Sequence, residues 1–251
     1  MRMRATLGVV TGALALSALA VPAAQADGSE GDTRIVKVVV DLDNKVTIGT
    51  TAKKFKVVVT ATDNSGIKGA DEIDLFGPDY GIFTTAKPTC VAVSTYTANC
   101  TGWVTVDPKV DYLTNANAGT WYVDTLVDAK DGDWIWKEKA GAFKFQRQTS
   151  LTTNAAPEPV RKGKAITVTG KLNRVNWESL KYGGYASQNV QLQYKKKGAT
   201  SYTTLKTVKT TSTGALSTTT TATYDGYYRF VYAGNTASAA VSSAADYIDV
   251  Q

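Results

Sequence analysis

The stretch Asp225-Gly226-Tyr227-Tyr228-Arg229-Phe230-Val231-Tyr232 constrains the fold more than any other part of the chain. Tyr228, Phe230 and Tyr232 alternate with Arg229 and Val231, the period of two that a half-buried strand needs. Asp225-Gly226 supplies the turn that leads into it. A weaker version of the pattern, Gly119-Thr120-Trp121-Tyr122-Val123-Asp124-Thr125-Leu126-Val127, lies well upstream. No stretch after residue 26 sustains apolar side chains at i, i+3, i+4 and i+7 over three turns, so the class is expected to be all-β.

Two such strands predict two antiparallel β-sandwich domains in tandem, immunoglobulin-like because a Tyr just past a corner turn, with its hydroxyl bonded back to the turn, belongs to that fold. The 251 residues leave room for both cores. Residues 1–26 are set aside as a signal peptide: Met1-Arg2-Met3-Arg4 is basic, Leu7 to Leu19 is apolar, and Ala24-Gln25-Ala26 offers small residues before a cut at Asp27. No later run of about eighteen apolar residues is present to span a membrane. The expected location is therefore outside the cell.

Charge and punctuation place the boundary. Residues 27–150 carry 14 Lys and Arg against 17 Asp and Glu, a net of −3, whereas residues 151–251 carry 12 against 5, a net of +7. An acidic domain over 27–150, a Pro-bracketed linker over 151–160 and a basic, Tyr-rich domain over 161–251 follow. Within the first, strands are expected at Ile35–Asp41, Val46–Gly49, Phe55–Ala61, Ile73–Leu75, Cys100–Val106, Trp121–Val127, Trp134–Trp136 and Phe143–Gln146, with Asp79–Ala98 irregular. Cys90 and Cys100, the only cysteines, enclose nine residues. Outside the cell they are expected to form a disulfide, contributing roughly 2–3 kcal/mol by the chain-entropy argument.

The chain contains no His, which removes Ser-His-Asp and Cys-His arrangements, and it shows no phosphate-binding Gly loop. No catalytic residues are assigned and no enzyme is expected. Calcium is the one cofactor the residues suggest. Asp128, Asp131 and Asp133 crowd around Gly132, and hard cations take several oxygens from converging loops. Taken alone, the same residues are also ordinary hairpin-turn chemistry. In the second domain Trp177, Tyr182 and Tyr185 with Lys195, Lys196 and Lys197 form a candidate ligand surface, combining ring stacking with positive charge. The lysine run also reads as a solvated hairpin tip.

Residues 162–174 (Lys-Gly-Lys-Ala-Ile-Thr-Val-Thr-Gly-Lys-Leu-Asn-Arg), Tyr194-Lys195-Lys196-Lys197-Gly198, Asp225-Gly226-Tyr227-Tyr228-Arg229 and Ala129-Lys130-Asp131-Gly132-Asp133 together resemble a family of small secreted actinobacterial proteins. The resemblance implies tandem immunoglobulin-like modules and, for some members, a calcium-binding label; it brings no catalytic residue. The expectation is a secreted, non-enzymatic interaction or adhesion protein contacting an anionic cell-wall polymer or glycan. The alternative is a calcium-binding secreted protein. No nucleic-acid partner is expected.

Overall fold

The computed structural model describes residues 27–78 and 81–251. The expected signal peptide, residues 1–26, lies outside the described residues. The first ten strands are β1 (Gly28–Glu30), β2 (Arg34–Val40), β3 (Lys45–Ile48), β4 (Lys53–Thr62), β5 (Ile67–Phe76), β6 (Ile82–Thr84), β7 (Thr89–Ala92), β8 (Thr97–Val106), β9 (Gly119–Ala129) and β10 (Trp134–Arg147). They form a sheet ordered β1-β10-β9-β5-β6, with β3 beside β10, and a second sheet ordered β2-β4-β8-β7. Pairing is antiparallel except for β3, which runs parallel to β10. No α-helix occurs among the described residues.

Alternation decides which side chains enter the core. On β4, Phe55, Val57, Val59 and Ala61 are buried while Lys54 and Lys56 face outward; on β9, Trp121, Val123, Thr125 and Val127 are buried. Burying such side chains stabilises by about 1.5–3 kcal/mol each relative to exposure. Trp121 fixes the corner, donating its indole N–H to Asn117 O at 2.7 Å and packing on Phe145 with centroids 4.7 Å apart.

The remaining strands are β11 (Thr149–Leu151), β12 (Asn154–Ala156), β13 (Ala165–Asn176), β14 (Lys181–Gly184), β15 (Asn189–Lys196), β16 (Thr203–Lys209), β17 (Ala215–Thr221), β18 (Gly226–Tyr232), β19 (Val241–Ser242) and β20 (Asp246–Ile248). One sheet gathers β11, β12, β14 and β17 around the long β13; the other runs β16-β15-β18, with β19 and β20 on the far side of β18. Their inner faces enclose a separate core that includes Leu172, Leu192, Tyr228 and Phe230. The chain is thus two β-sandwiches resembling immunoglobulin-like domains.

Several expectations are corrected. Residues 151–160 are not a free linker: β11 and β12 pair with β13, and Leu151, Ala155 and Val160 are buried in the second core. The stretch Asp79–Ala98, expected to be irregular, contains β6 and β7, which gain order by pairing with β5 and β8. The disulfide forms on that pairing, because Cys90 stands directly opposite Cys100 with their Cα atoms 3.9 Å apart. Trp134–Trp136 and Phe143–Gln146 belong to one strand, interrupted by a bulge between Lys137 and Gly141.

The sandwiches meet closely. Val175 and Trp177 come from the second but are buried in the first core. Trp177 donates its indole N–H to Ile48 O at 3.2 Å and stacks obliquely 5.3 Å from Phe145. Arg147 sits in the same junction and donates Nε to Val175 O at 2.7 Å. Burial, reinforced by the Arg174 charge, pushes its guanidinium down to about 10.

Candidate functional site

The turn before β18 organises one end of the second sandwich. The hydroxyl that holds it comes from a neighbouring strand rather than from Tyr227 or Tyr228: Tyr194 on β15 donates to Tyr224 O at 2.9 Å and also lies 3.2 Å from Asp225 O. Asp225 then gathers what surrounds it, accepting Val250 N at 2.9 Å, Tyr247 Oη at 3.0 Å and Lys197 Nζ at 3.4 Å. These bonds, the Val250 amide foremost, hold its carboxyl below the ordinary carboxylate range. The same Tyr247 and Asp225 contacts raise the Lys197 ammonium.

Strand parity turns Tyr228 inward, where burial pushes its hydroxyl up to about 12, and leaves Tyr227 and Arg229 outward. Register sets Lys195 opposite Tyr227, and Tyr227 opposite Tyr247. A row of rings and charge therefore crosses the sheet. Lys195 Nζ lies 5.1 Å from the Tyr202 ring and 5.3 Å from that of Tyr227, and the Tyr227 and Tyr247 centroids are 5.2 Å apart. Arg229 stacks 3.7 Å over Tyr202 while both Nε and Nη2 donate to Gln193 Oε1. At the edge, Lys196 and Lys162 approach the Tyr224 ring at 4.2 and 5.1 Å, beside a 350 Å³ hollow that Lys197 and Asp225 also line.

Of the candidate ligand residues, Lys195, Lys196 and Lys197 belong to this face and the three aromatics do not. Trp177 is only 1% exposed and packs in the junction. Tyr182, though 42% exposed, donates its hydroxyl to Gln148 at 2.6 Å beside Gly49 of the first sandwich. Tyr185 lies under the Arg174 guanidinium at 3.8 Å and bonds Asn235 and Ser238, residues whose carbonyls receive the Gln146 amide. All three brace the junction, at the opposite end of β15 from the lysines. Tyr202, Tyr224, Tyr227, Tyr247, Lys162 and Arg229 replace them. Period-two parity in Gly226–Tyr232 pointed to Tyr227 and Arg229; nothing local pointed to Tyr247.

The acidic candidates also separate. Asp133 carboxylate oxygen approaches those of Asp32 and Asp63, one ligand atom of each lying within 4.8 Å of the others. Asp128 lies instead on the outer face of β9 near Asp71, where burial and then the Asp71 charge raise its carboxyl. Asp131 closes the hairpin turn by accepting Asp133 N at 3.2 Å. Asp63 is 3% exposed. Burial alone would raise its carboxyl, but bonds from Ser65 at 2.6 and 2.7 Å and from Thr33 at 2.7 Å outweigh that and lower it. The Asp32 amide and the Asn64 side chain tie the three loops together.

No protein-family model and no curated protein matches this sequence. Among solved structures it is similar to latent PorU from Porphyromonas gingivalis (TM-score 0.30, 14% identity, 87% of this chain and 20% of that one). It is also similar to a DUF4785 family protein from Legionella pneumophila (TM-score 0.39, 14% identity, 78% and 52%) and to the D00-D0 domain of intimin (TM-score 0.29, 9% identity, 84% and 99%). The chain spans a fifth of the first and about half of the second. With superposition scores this low, the architecture stands on the chain's own sheets. No described helix is long and apolar enough to cross a membrane.

Proposed function

We propose that this is a secreted, non-enzymatic interaction protein whose second sandwich binds an anionic polymer or glycan of the cell wall through its Tyr-rich, basic face. The supporting observation is the row across the outer sheet, in which Lys195 stands between the Tyr202 and Tyr227 rings and Arg229 lies on Tyr202. Aromatic faces stack on sugar rings or flat repeats, while ammonium groups attract phosphate or carboxylate; neither requires a reaction. Contacts of this kind contribute about 0.5–2 kcal/mol each, so Tyr227→Ala or Lys195→Ala is expected to weaken binding roughly two- to thirtyfold. Sedimentation of the purified protein with wall polymer checks this. Binding that falls as salt rises, and falls further in either variant, supports the reading; equal binding by wild type and both variants overturns it.

The convergence of Asp32, Asp63 and Asp133 favours a second reading, a calcium site in the first sandwich. Calcium at a hundred times its Kd should stabilise the chelator-stripped protein by about 2.7 kcal/mol, several degrees in Tm, and Asp133→Asn should remove most of that gain. An unchanged melting temperature at millimolar calcium rejects this site.

A further inference from the structure

The sheet β1-β10-β9-β5-β6 has an outer face on which no other described strand packs, and its chemistry is the inverse of the Tyr-rich face. Asp74 on β5 stands directly opposite Asp124 on β9. Glu138, on the neighbouring β10, adds its charge to the same place. One oxygen of each aspartate, Asp74 Oδ1 and Asp124 Oδ1, is buried with no hydrogen-bond partner among the described residues, while the Asp124 carboxyl also meets the Trp136 side chain. Burial foremost, then the Asp74 and Glu138 charges, raise the Asp124 carboxyl. Beside the carboxylates lie Phe76 and Tyr122, with centroids 5.6 Å apart. Lys139 reaches over the Tyr122 ring at 5.2 Å and edges the patch without pairing either orphaned oxygen.

We infer that this acidic, aromatic face of the first sandwich docks the basic, Tyr-rich face of a second copy of the chain. The argument is complementarity. Each face is the outside of a twisted sheet, each sets aromatic rings beside a charged row, and the charges are opposite: Asp74, Asp124 and Glu138 against Lys195 and Arg229. The halves differ in the same sense, −3 for residues 27–150 and +7 for residues 151–251. Neither Asp74 nor Asp124 is in an ion pair among the described residues, so an arriving Arg or Lys meets uncompensated negative charge, and charge-assisted bonds are about twice as strong as neutral ones. Because the two patches belong to different sandwiches, the contact is heterologous. Each docked copy leaves one acidic and one basic face free, so association builds open head-to-tail chains unless a rotation closes a ring. The inference uses the basic face but does not rest on polymer binding.

Sedimentation velocity of the purified protein over a range of concentrations tests it. At about 0.1 M salt the weight-average mass should rise with concentration beyond that of a monomer; at about 1 M salt, where the Debye length falls from about 10 Å to about 3 Å, it should not. Asp124→Asn with Glu138→Gln should weaken association at least tenfold without lowering the melting temperature and with polymer binding unchanged. Lys195→Glu with Arg229→Glu should lose both association and polymer binding. Should either pair of substitutions disturb folding, Asp74→Asn alone or Lys195→Ala alone supplies the same comparison. A wild-type protein that stays monomeric at about 0.1 M salt, or an acidic-face variant that associates as wild type does, overturns the inference. Monomeric protein that still sediments with polymer rejects self-docking alone. Self-association that survives while polymer binding fails rejects only the polymer reading.

Discussion

Replacing Trp177 with Ala is expected to destabilise the first sandwich by about 3–5 kcal/mol, although the residue belongs by sequence to the second. The side chain is 1% exposed within the first core and is among the largest fully buried groups in the protein. Truncation removes its ring from Phe145, which in turn packs on Trp121, and leaves Ile48 O with the Gln148 amide as its remaining donor. Cavity formation and loss of a buried partner act in the same direction. Trp177→Phe keeps most of the volume and loses the N–H, so it should cost about 1 kcal/mol. Guanidinium unfolding reads both. Wild-type sandwiches should unfold in one transition and the Ala variant in a broader one at lower denaturant, because Trp177 is the largest of several side chains that couple the cores. A Trp177→Ala loss below about 1 kcal/mol would show that the junction contributes little.

That residue also marks the limit of what sequence pattern can convey. Alternation in Phe55–Ala61, Trp121–Val127 and Tyr228–Tyr232 gave inward and outward faces that the structure keeps, because parity is a property of a single strand. The disulfide followed from cysteine number alone. Trp177 lies just past the end of β13, where parity no longer assigns a face, and it is buried against Phe145 and the Ile48 carbonyl of the other sandwich. β6 and β7 are too short to carry a pattern, and β10 is broken by its bulge. Local crowding around Gly132 points to Asp133, but the carboxylates it approaches, Asp32 and Asp63, come from two distant turns. Tyr247 joins the basic face only because β20 pairs with β18.

Gly226→Ala should damage fold and binding face together. A Cβ at this position would stand 2.4 Å from Tyr194 Cε2 and 2.5 Å from the Lys195 carbonyl oxygen, so both a packed ring and a backbone atom must move. Overpacking of this kind costs about 1–3 kcal/mol. Tyr194 cannot yield freely, since its ring lies 4.9 Å from Tyr228 and its hydroxyl holds the carbonyls of Tyr224 and Asp225. Displacing it releases the turn that positions Tyr224, Lys197 and Tyr247 around Asp225. Polymer binding is therefore expected to fall by more than a single ring deletion produces, while the acidic face of the first sandwich keeps its properties. Gly183→Ala is the matched control in the same sandwich: a Cβ there meets nothing within 4 Å, and both melting temperature and binding should stay as they are. If Gly226→Ala lowered stability yet left binding intact, the turn would be a structural corner only, and the ligand face would have to lie away from Tyr224 and Lys197.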